Sequence, residues 1–558
     1  MSFTKFSKRT RIVIFLIVLI LGVMLFITNW TNHEPKSDDV TTSSQKKEQQ
    51  VEKQTYSFIN VSDFGALGDG RHDDTKAILK AIDHVKAGGN IVFDSSKTYL
   101  VTETIKITKD LTITTNGQKN ATILMGSNKK NEPVLYFSGK VKSSARIDTA
   151  LRTRDSQINL PNIKDVDSND LLLIESNTPW YFEPRTGTEN LHKGELHKMI
   201  GVTKSEAILA EGIWDAYDPQ KEDIQVKVID PIHITMEKIN IVRNPSNDRT
   251  IGIKLEYGSN SSINRINVGH STAVGIHVVS SYRTKVENSE VTEANDKYSG
   301  YGIQSYGSSY STIQDNRITG SRRGIDVSGQ YPDYFSTVEF NTVYGGGKNE
   351  LGLHYLTEDT QYGIGTHSTA NFTVFRGNIL ANLNYGVNIR SANVTIKQNK
   401  FLGYFKGSAI ILANGRNASI VDNESVSGNN VPQIATKNNL PKSIENFNAK
   451  NFLSIKRSYD LTSRVLQIER NKALDISESF ITFLDVEGTR SNQIQNLQVI
   501  DNDIKLANRN SMGQPFYFIF SEFPLKAHSS VLNNNTMVDF SMKQQPLVSK
   551  NFIGTINK

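Results

Sequence analysis

Between Tyr301 and Arg390 the chain repeats one short alternation of apolar and polar positions: YGIQSY, RGIDVS, YGIGTHS and YGVNIR. Each unit sets a Gly before Ile or Val and then alternates. Successive side chains of a strand point to opposite faces. Ile303, Ile325, Ile364 and Val387 therefore predict an inward row, shared by Ser305, Val327, Thr366 and Ile389. The outward row then carries Gln304 and Tyr306, Asp326 and Ser328, Gly365 and His367, and Asn388 and Arg390.

A second pattern runs in step with the first. An apolar-x-x-Asn-x-apolar unit precedes several of these glycines, in IQDNRI with Asn316, VEFNTV with Asn341, FRGNIL with Asn378 and IKQNKF with Asn399. Asn423, Asn471 and Asn502 continue it. Asn is common at any strand end, but a shared register argues for a stack. A repeat of roughly 21–27 residues with two or three short strands predicts a solenoid whose rungs pair in parallel. The expected fold is all-β, a right-handed parallel β-helix with Asn amides bonding along one corner.

Ahead of the rungs, Ala77, Ile78, Ala81, Ile82 and Val85 keep helical spacing. Asp73 or Asp74 is placed to cap this helix and Gly88-Gly89 to stop it. The helix is expected to cover the open end of the solenoid. That capping role is preferred to acid–base or metal work by the Asp pair. From Pro161 to Asp230 the rung pattern is interrupted by what reads as a β insertion. Its Trp180, Tyr181, Phe182 and Trp214 suit either sugar stacking or a small core. A later gap of 39 residues separates Ile325 from Ile364, against 22 from Ile303 to Ile325. The surplus is a Gly-rich loop, YGGGKNELGLHYLTEDTQ, with His354 as a further candidate. Long solenoid loops tend to mark the functional face.

Composition narrows the setting. The chain has 558 residues and no Cys, which excludes disulfides and thiolate metal sites. Its net charge of +6 owes much to Lys5, Lys8, Arg9 and Arg11, so the body makes no case for nucleic-acid binding. The uncharged run from Ile12 to Ile27 lies near the lower limit for a bilayer span. With the basic flank first, residues 1–11 are expected in the cytoplasm and the rest outside. No small-x-small cleavage site follows, so an uncleaved single-pass anchor over 12–28 is expected in the cell membrane. Residues 29–56 are polar and read as a tether to the folded part, 57–558.

The string DFGALGDGRHDDTKAI followed by GGNIVFDSSKTYLV resembles the N-terminal signature of the pectate-lyase-like β-helix superfamily. That resemblance implies the β-helix fold and a carbohydrate-related role shared among hydrolases, lyases, epimerases, phage tail-spike depolymerases and binders. Arg185, Lys193-Gly194-Glu195 and Leu209 to Tyr217 resemble segments of tail-spike-like members. RRGID with GIGTHS is similar to a paired motif of the same branch, and implies roles for Arg323, Asp326 and His367. Homotrimers occur among those relatives, and a homotrimer stays open here without any heptad to support it.

The register brings chemistry together. Rungs stack about 4.8 Å apart, so Asp326 is expected one rung below Gly365, diagonal to His367, with Arg390 above His367. His277 and Gln304 extend the column downward, with Tyr306 and Asn388 beside it, and Ile411 ends it upward. Gly365 is expected to leave room for a sugar ring beside Asp326. A carboxylate, an imidazole and guanidinium groups can supply acid–base catalysis and a clamp for an anionic sugar. Asp326, His367, Arg323 and Arg390 are the catalytic candidates. His277, Gln304, Tyr306, Arg322, His354, Asn388, Trp180 and Trp214 are candidates for binding a polysaccharide. The polygalacturonase residue set is absent, as is the close Asp pair of glycoside hydrolysis. Glu358 and Asp359 would offer oxygen ligands, so Ca2+ stays open and no other cofactor is implied. The expectation is a polysaccharide lyase or glycoside hydrolase acting on a cell-surface or matrix glycan. The alternative is a non-catalytic glycan-binding β-helix.

Overall fold

The computed structural model describes residues 58–126, 132–160, 166–180, 191–203, 205–244, 249–346, 361–403, 407–413, 415–426, 449–457, 462–485, 493–506, 516–538, 548 and 551–557. The expected tail, anchor and tether (1–56) lie outside these residues. So do Tyr181, Phe182, Arg185, His354, Glu358 and Asp359. Among the described residues no helix is long and apolar enough to cross a membrane.

Strands of the described chain form three long parallel sheets of 15, 14 and 12 strands. One coil passes once through each: Tyr301–Tyr306, then Thr312–Gln314, then Arg317–Thr319, before the next coil opens at Arg323. The alternation read from the sequence holds. Ile303, Ile325, Ile364 and Val387 are fully buried inside, as are Ser305, Val327, Thr366 and Ile389. Their apolar members join one continuous core that runs from Val61 to Met537.

The nine strands of the 12-stranded sheet that matter for function are labelled β1 (Val274–Val279), β2 (Tyr301–Tyr306), β3 (Arg323–Ser328), β4 (Tyr362–Thr366), β5 (Tyr385–Ile389), β6 (Ser408–Ala413), β7 (Asn451–Arg457), β8 (Ser479–Asp485) and β9 (Tyr517–Ser521). They pair in that order. The repeated Gly at the start of β2 to β5 answers a close approach. A Cβ on Gly324 would meet Val343 at 2.5 Å, and one on Gly386 would meet Phe401 at 2.3 Å. Those partners are core residues of the 14-stranded sheet, so any side chain here would push two sheets apart.

The Asn column forms the corner between the 15- and 14-stranded sheets. Each Asn follows a left-handed residue, as Asp315 (φ 54°) precedes Asn316 and Phe340 (φ 55°) precedes Asn341. The left-handed residue makes the sharp bend, and the Asn side chain takes up the backbone groups that the bend strips of ladder partners. Asn341 Nδ2 donates to Ile313 O at 2.8 Å and to Asn378 Oδ1 at 3.0 Å, while its own Oδ1 accepts from Asn316 N at 3.0 Å. The same bonds repeat through Asn378, Asn399, Asn423, Asn471 and Asn502.

The predicted helix spans Thr75–His84, labelled α1, and stops at Val85, ahead of Gly88-Gly89. Its Ile78, Ala81 and Ile82 join the solenoid core. Asp74 holds the N-cap position, yet its carboxylate turns away to accept from Leu67 N (2.7 Å) and Gly68 N (3.2 Å). Asp73 instead takes the first-turn Thr75 N at 3.0 Å. The two carboxylates divide the capping work between the helix and the loop before it.

The antiparallel insertion has six strands in the order Gln157–Asn159, Glu206–Leu209, His192–Val202, Leu171–Pro179, Ile224–Asp230, Lys140–Arg146. It therefore draws its edge strand from Lys140, ahead of the expected start at 161. One face encloses a core of its own, including Ile147, Leu172, Ile174, Met199 and Val226. The other packs Leu171, Leu173, Leu196 and Ile229 against Tyr282 and Tyr331 of the solenoid.

Candidate functional site

The outward column is in the register that the repeats imply: His277 beside Gln304, Gln304 beside Asp326, Asp326 beside Gly365 and Gly365 beside Asn388. Next to it runs a column that includes Tyr301, Arg323, Tyr362 and Tyr385, one from each of β2 to β5. This is the residue before each repeated Gly. Arg323 lies between two rings, its guanidinium carbon 5.3 Å from the Tyr301 centroid and 4.7 Å from that of Tyr362. Cation–π contacts on both faces fix its plane.

His367, just past β4, joins the two columns. Its Nδ1 lies 3.0 and 3.1 Å from the two oxygens of Asp326, and its Nε2 lies 2.8 Å from Arg323 Nη1. Arg can only donate. Nε2 therefore accepts, and Nδ1–H donates to the carboxylate, which makes the ring a neutral imidazole with a defined tautomer. Burial lowers the proton affinity of His367, Asp326 raises it, Arg323 and Arg390 lower it, and the net direction is down. The ring keeps 23% of its side-chain surface exposed, whereas Asp326 has none.

Asp326 is correspondingly saturated. Besides His367 it accepts from Ser328 Oγ (2.7 Å), Gln304 Nε2 (3.0 Å) and the Tyr362 hydroxyl (3.4 Å). Burial alone would raise its pKa. His367, Arg323 and Ser328 outweigh that and hold it well below the ordinary carboxylate range. Asp326 thus orients and polarises His367 from behind, and the expectation that it would itself face a substrate is corrected. The expected room beside Gly365 is also filled. A Cβ there would strike Asn388 O at 2.2 Å, and the Tyr362 ring approaches to 3.2 Å. Gly365 serves the stacking of β4 under β5.

The remaining candidates divide by position. Arg390 follows β5, its N donating to Thr366 Oγ1 at 3.1 Å, and its charge acts on His367, Tyr301 and Tyr362. Arg322 is nearly buried and donates to Ser299 O at 3.0 Å, so it ties down a turn. Gln304 is buried against Asp326. His277 meets Tyr306 edge to face at 5.7 Å, and burial, aided by Lys254, pushes its pKa down to about 3. Neither of its ring nitrogens has a hydrogen-bond partner among the described residues. Asn388 continues the outward column. Trp180 is buried, with Nε1 donating to Ser368 O at 3.1 Å beside His367. Trp214 packs on His197 (4.2 Å), Tyr334 (4.5 Å) and Phe335 (5.1 Å). Both tryptophans join the insertion to the solenoid. Among the described residues no three His, Asp or Glu side chains are grouped to hold a metal ion. Sequence reasoning missed Tyr301 and Tyr362, although the recurring Tyr-Gly pair carried the signal.

Comparison with known proteins agrees with this architecture. Residues 58–169 match the family model "Rhamnogalacturonase A/epimerase, pectate lyase-like", and residues 228–343 match "Right handed beta helix region". The chain is similar to the tailspike gp61 of Pseudomonas phage phi297, with TM-score 0.63 and 10% identity over 87% of this chain and 81% of that one. It is also similar to the tailspike of Acinetobacter baumannii bacteriophage AP22, solved with a capsular saccharide, with TM-score 0.59 and 13% identity over 86% and 79%. A curated relative, the plasmin and fibronectin-binding protein A of Streptococcus pneumoniae (strain ATCC BAA-255 / R6), is 43% identical over 82 residues. The match covers 14% of this chain and 11% of that protein. With its coiled sheets and its Asn corner in agreement with these matches, the chain is a right-handed parallel β-helix whose residues 58–169 match a pectate-lyase-like family model.

Proposed function

We propose that the protein degrades an acidic polysaccharide of the cell surface or matrix by β-elimination, held at the outer side of the membrane by residues 12–28. The observation that carries the reaction is the neutral His367, exposed on one edge, backed by the buried Asp326 and faced by Arg323. A substrate carboxylate would compete for Arg323 and free Nε2 of His367. The imidazole then takes the proton next to the carboxylate, Arg323 and Arg390 offset the developing enolate charge, and Asp326 stabilises the imidazolium. The bond to the leaving sugar oxygen breaks, that oxygen takes a proton from the imidazolium, which returns His367 to its neutral form, and an unsaturated uronate remains. The carboxylate that His367 contacts is that of Asp326, which is fully buried behind the ring, whereas glycoside hydrolysis uses a pair that flanks the scissile bond.

Support comes from the fold of the AP22 tailspike, whose structure holds a capsular saccharide. The competing reading is a non-catalytic surface binder, and the pneumococcal relative is named for binding. A soluble chain of residues 56–558, incubated with polysaccharide extracted from the producing cells, separates these. Shortening with new ultraviolet absorbance supports elimination. Shortening with reducing ends alone replaces it with hydrolysis. Retention without shortening leaves the binder.

A further inference from the structure

The column that carries Tyr301, Arg323, Tyr362 and Tyr385 continues through β6 to β9. Beyond Tyr385 the sheet brings Ser408, Asn451, Ser479 and then Tyr517 into line. The neighbouring outward column runs Ile411, Ser454, Thr482 and Phe520 over the same strands. Two rows of small polar side chains thus lie between an aromatic residue at one end and two at the other. From Tyr385 to Tyr517 is four rung steps, about 19 Å at roughly 4.8 Å each. The gap is a cavity of about 570 Å³, lined by these residues other than Ile411, with Lys450, Lys456, Glu478 and Glu522. That size falls within the range of ligand sites.

Its chemistry differs from that around His367. The floor is hydroxyl and amide: Ser479 Oγ and Thr482 Oγ1 both donate to Asn451 Oδ1, at 2.6 and 3.1 Å. Tyr517 and Phe520 form one end wall, their centroids 5.1 Å apart, and Lys456 Nζ stands 5.9 Å from the Tyr385 ring at the other. Lys450 is neutralised by Glu478 at 3.0 Å, which leaves Lys456 and Glu522 in balance. Glu478 precedes β8 and Glu522 follows β9, so six residues of strand, on the order of 20 Å, separate their backbones. That excludes them as a hydrolytic pair. Aromatic walls with a neutral hydrogen-bonding floor suit the apolar faces and hydroxyls of sugar rings.

We propose that this cavity binds an uncharged oligosaccharide segment of the same polymer that His367 attacks, one rung past Tyr362. The inference rests on the glycan reading above and adds to it a substrate class: a heteropolysaccharide whose acidic unit is followed by neutral sugars. The test uses envelope polysaccharide of the producing cells, cut by partial acid hydrolysis and separated by anion exchange into neutral and acidic fragments. Binding to the soluble chain is followed by calorimetry for wild type, Tyr517→Ala, Tyr385→Ala and His367→Ala. The expected result is about tenfold weaker binding of neutral fragments by each tyrosine variant and unchanged binding by His367→Ala. The two tyrosines stand at opposite ends of the cavity, so a folding defect in one leaves the other as a test. Neutral fragments bound equally by wild type and both tyrosine variants would overturn this inference alone. A wild-type chain that binds no fragment of either pool would overturn it together with the glycan reading.

Discussion

His367 stands between charges of opposite sign, and each moves its proton affinity in a stated direction. Burial and Arg323 lower it, while Asp326 raises it. The acid limb of the pH–rate profile is therefore expected below the ordinary histidine range near ~6.5. Asp326→Asn should move that limb further down, and Arg323→Gln should move it up. Profiles of kcat/KM for the two variants that shift in the same direction would contradict the assigned contacts. Asp333, also fully buried, shows the opposite linkage to Asp326. Burial pushes its pKa up to about 7, against hydrogen bonds from Ser305, Ser336 and Ser308 N. The folded state then holds a proton that the unfolded chain releases near ~4. Stability is lost as pH rises from about 4 to about 7 and is level above that, by up to roughly 4 kcal/mol. Asp333→Asn should flatten the fall in melting temperature between pH 5 and 8. An unchanged slope would remove Asp333 from the account.

At the scale of the element, the Asn corner is the part of the fold where one side chain does several jobs. Asn378 donates to Val338 O and Asn399 Oδ1, both at 2.9 Å, and accepts from Asn341 N at 3.0 Å. Asn378→Ala strands those buried groups, at about 1–3 kcal/mol each. Asn393 makes a similar bond to Asn371 (2.8 Å) on a half-exposed turn, where water can substitute. Denaturant or thermal unfolding should show a loss of about 3 kcal/mol or more for Asn378→Ala and under about 1 kcal/mol for Asn393→Gly, in which glycine keeps the left-handed backbone (φ 54°) of that turn. Equal losses would mean that the corner bonds carry no special weight. This ladder was legible in the sequence because Asn recurs at one fixed offset from an apolar pair. The inward and outward rows were legible because a strand has period two and the repeats share a phase. What lay beyond sequence reasoning was depth. Gln304 and Asp326 occupy outward positions yet are buried, Asp326 beneath Tyr362 and His367, and Gln304 against Asp326 and Ser328. Lys140–Arg146 alternates like any rung strand, so nothing local marked it as the edge of the insertion. The cavity near Ser454 went unread because Ile411 looked like an end to the polar column, and the small residues resume only after it.

For the whole molecule, the proposal places catalysis on one face of a rigid solenoid and tethers that solenoid to a membrane. The tether should be testable apart from the chemistry. Full-length protein is expected in the membrane fraction, resistant to carbonate extraction, with residues 57–558 digestible by protease added to intact protoplasts. Deletion of residues 1–28 should release it to the soluble fraction. Full-length protein recovered from the medium with a shortened N-terminus would replace the anchor with a cleaved leader. The claim on which the rest depends is that the Asp326-backed imidazole performs turnover. The most direct measurement compares wild type with His367→Ala, in a soluble chain of residues 56–558, for both turnover and affinity on the native polysaccharide. In His367→Ala kcat is expected to fall about 100-fold or more while polymer affinity stays within about threefold. Turnover by His367→Ala at the wild-type rate would contradict it.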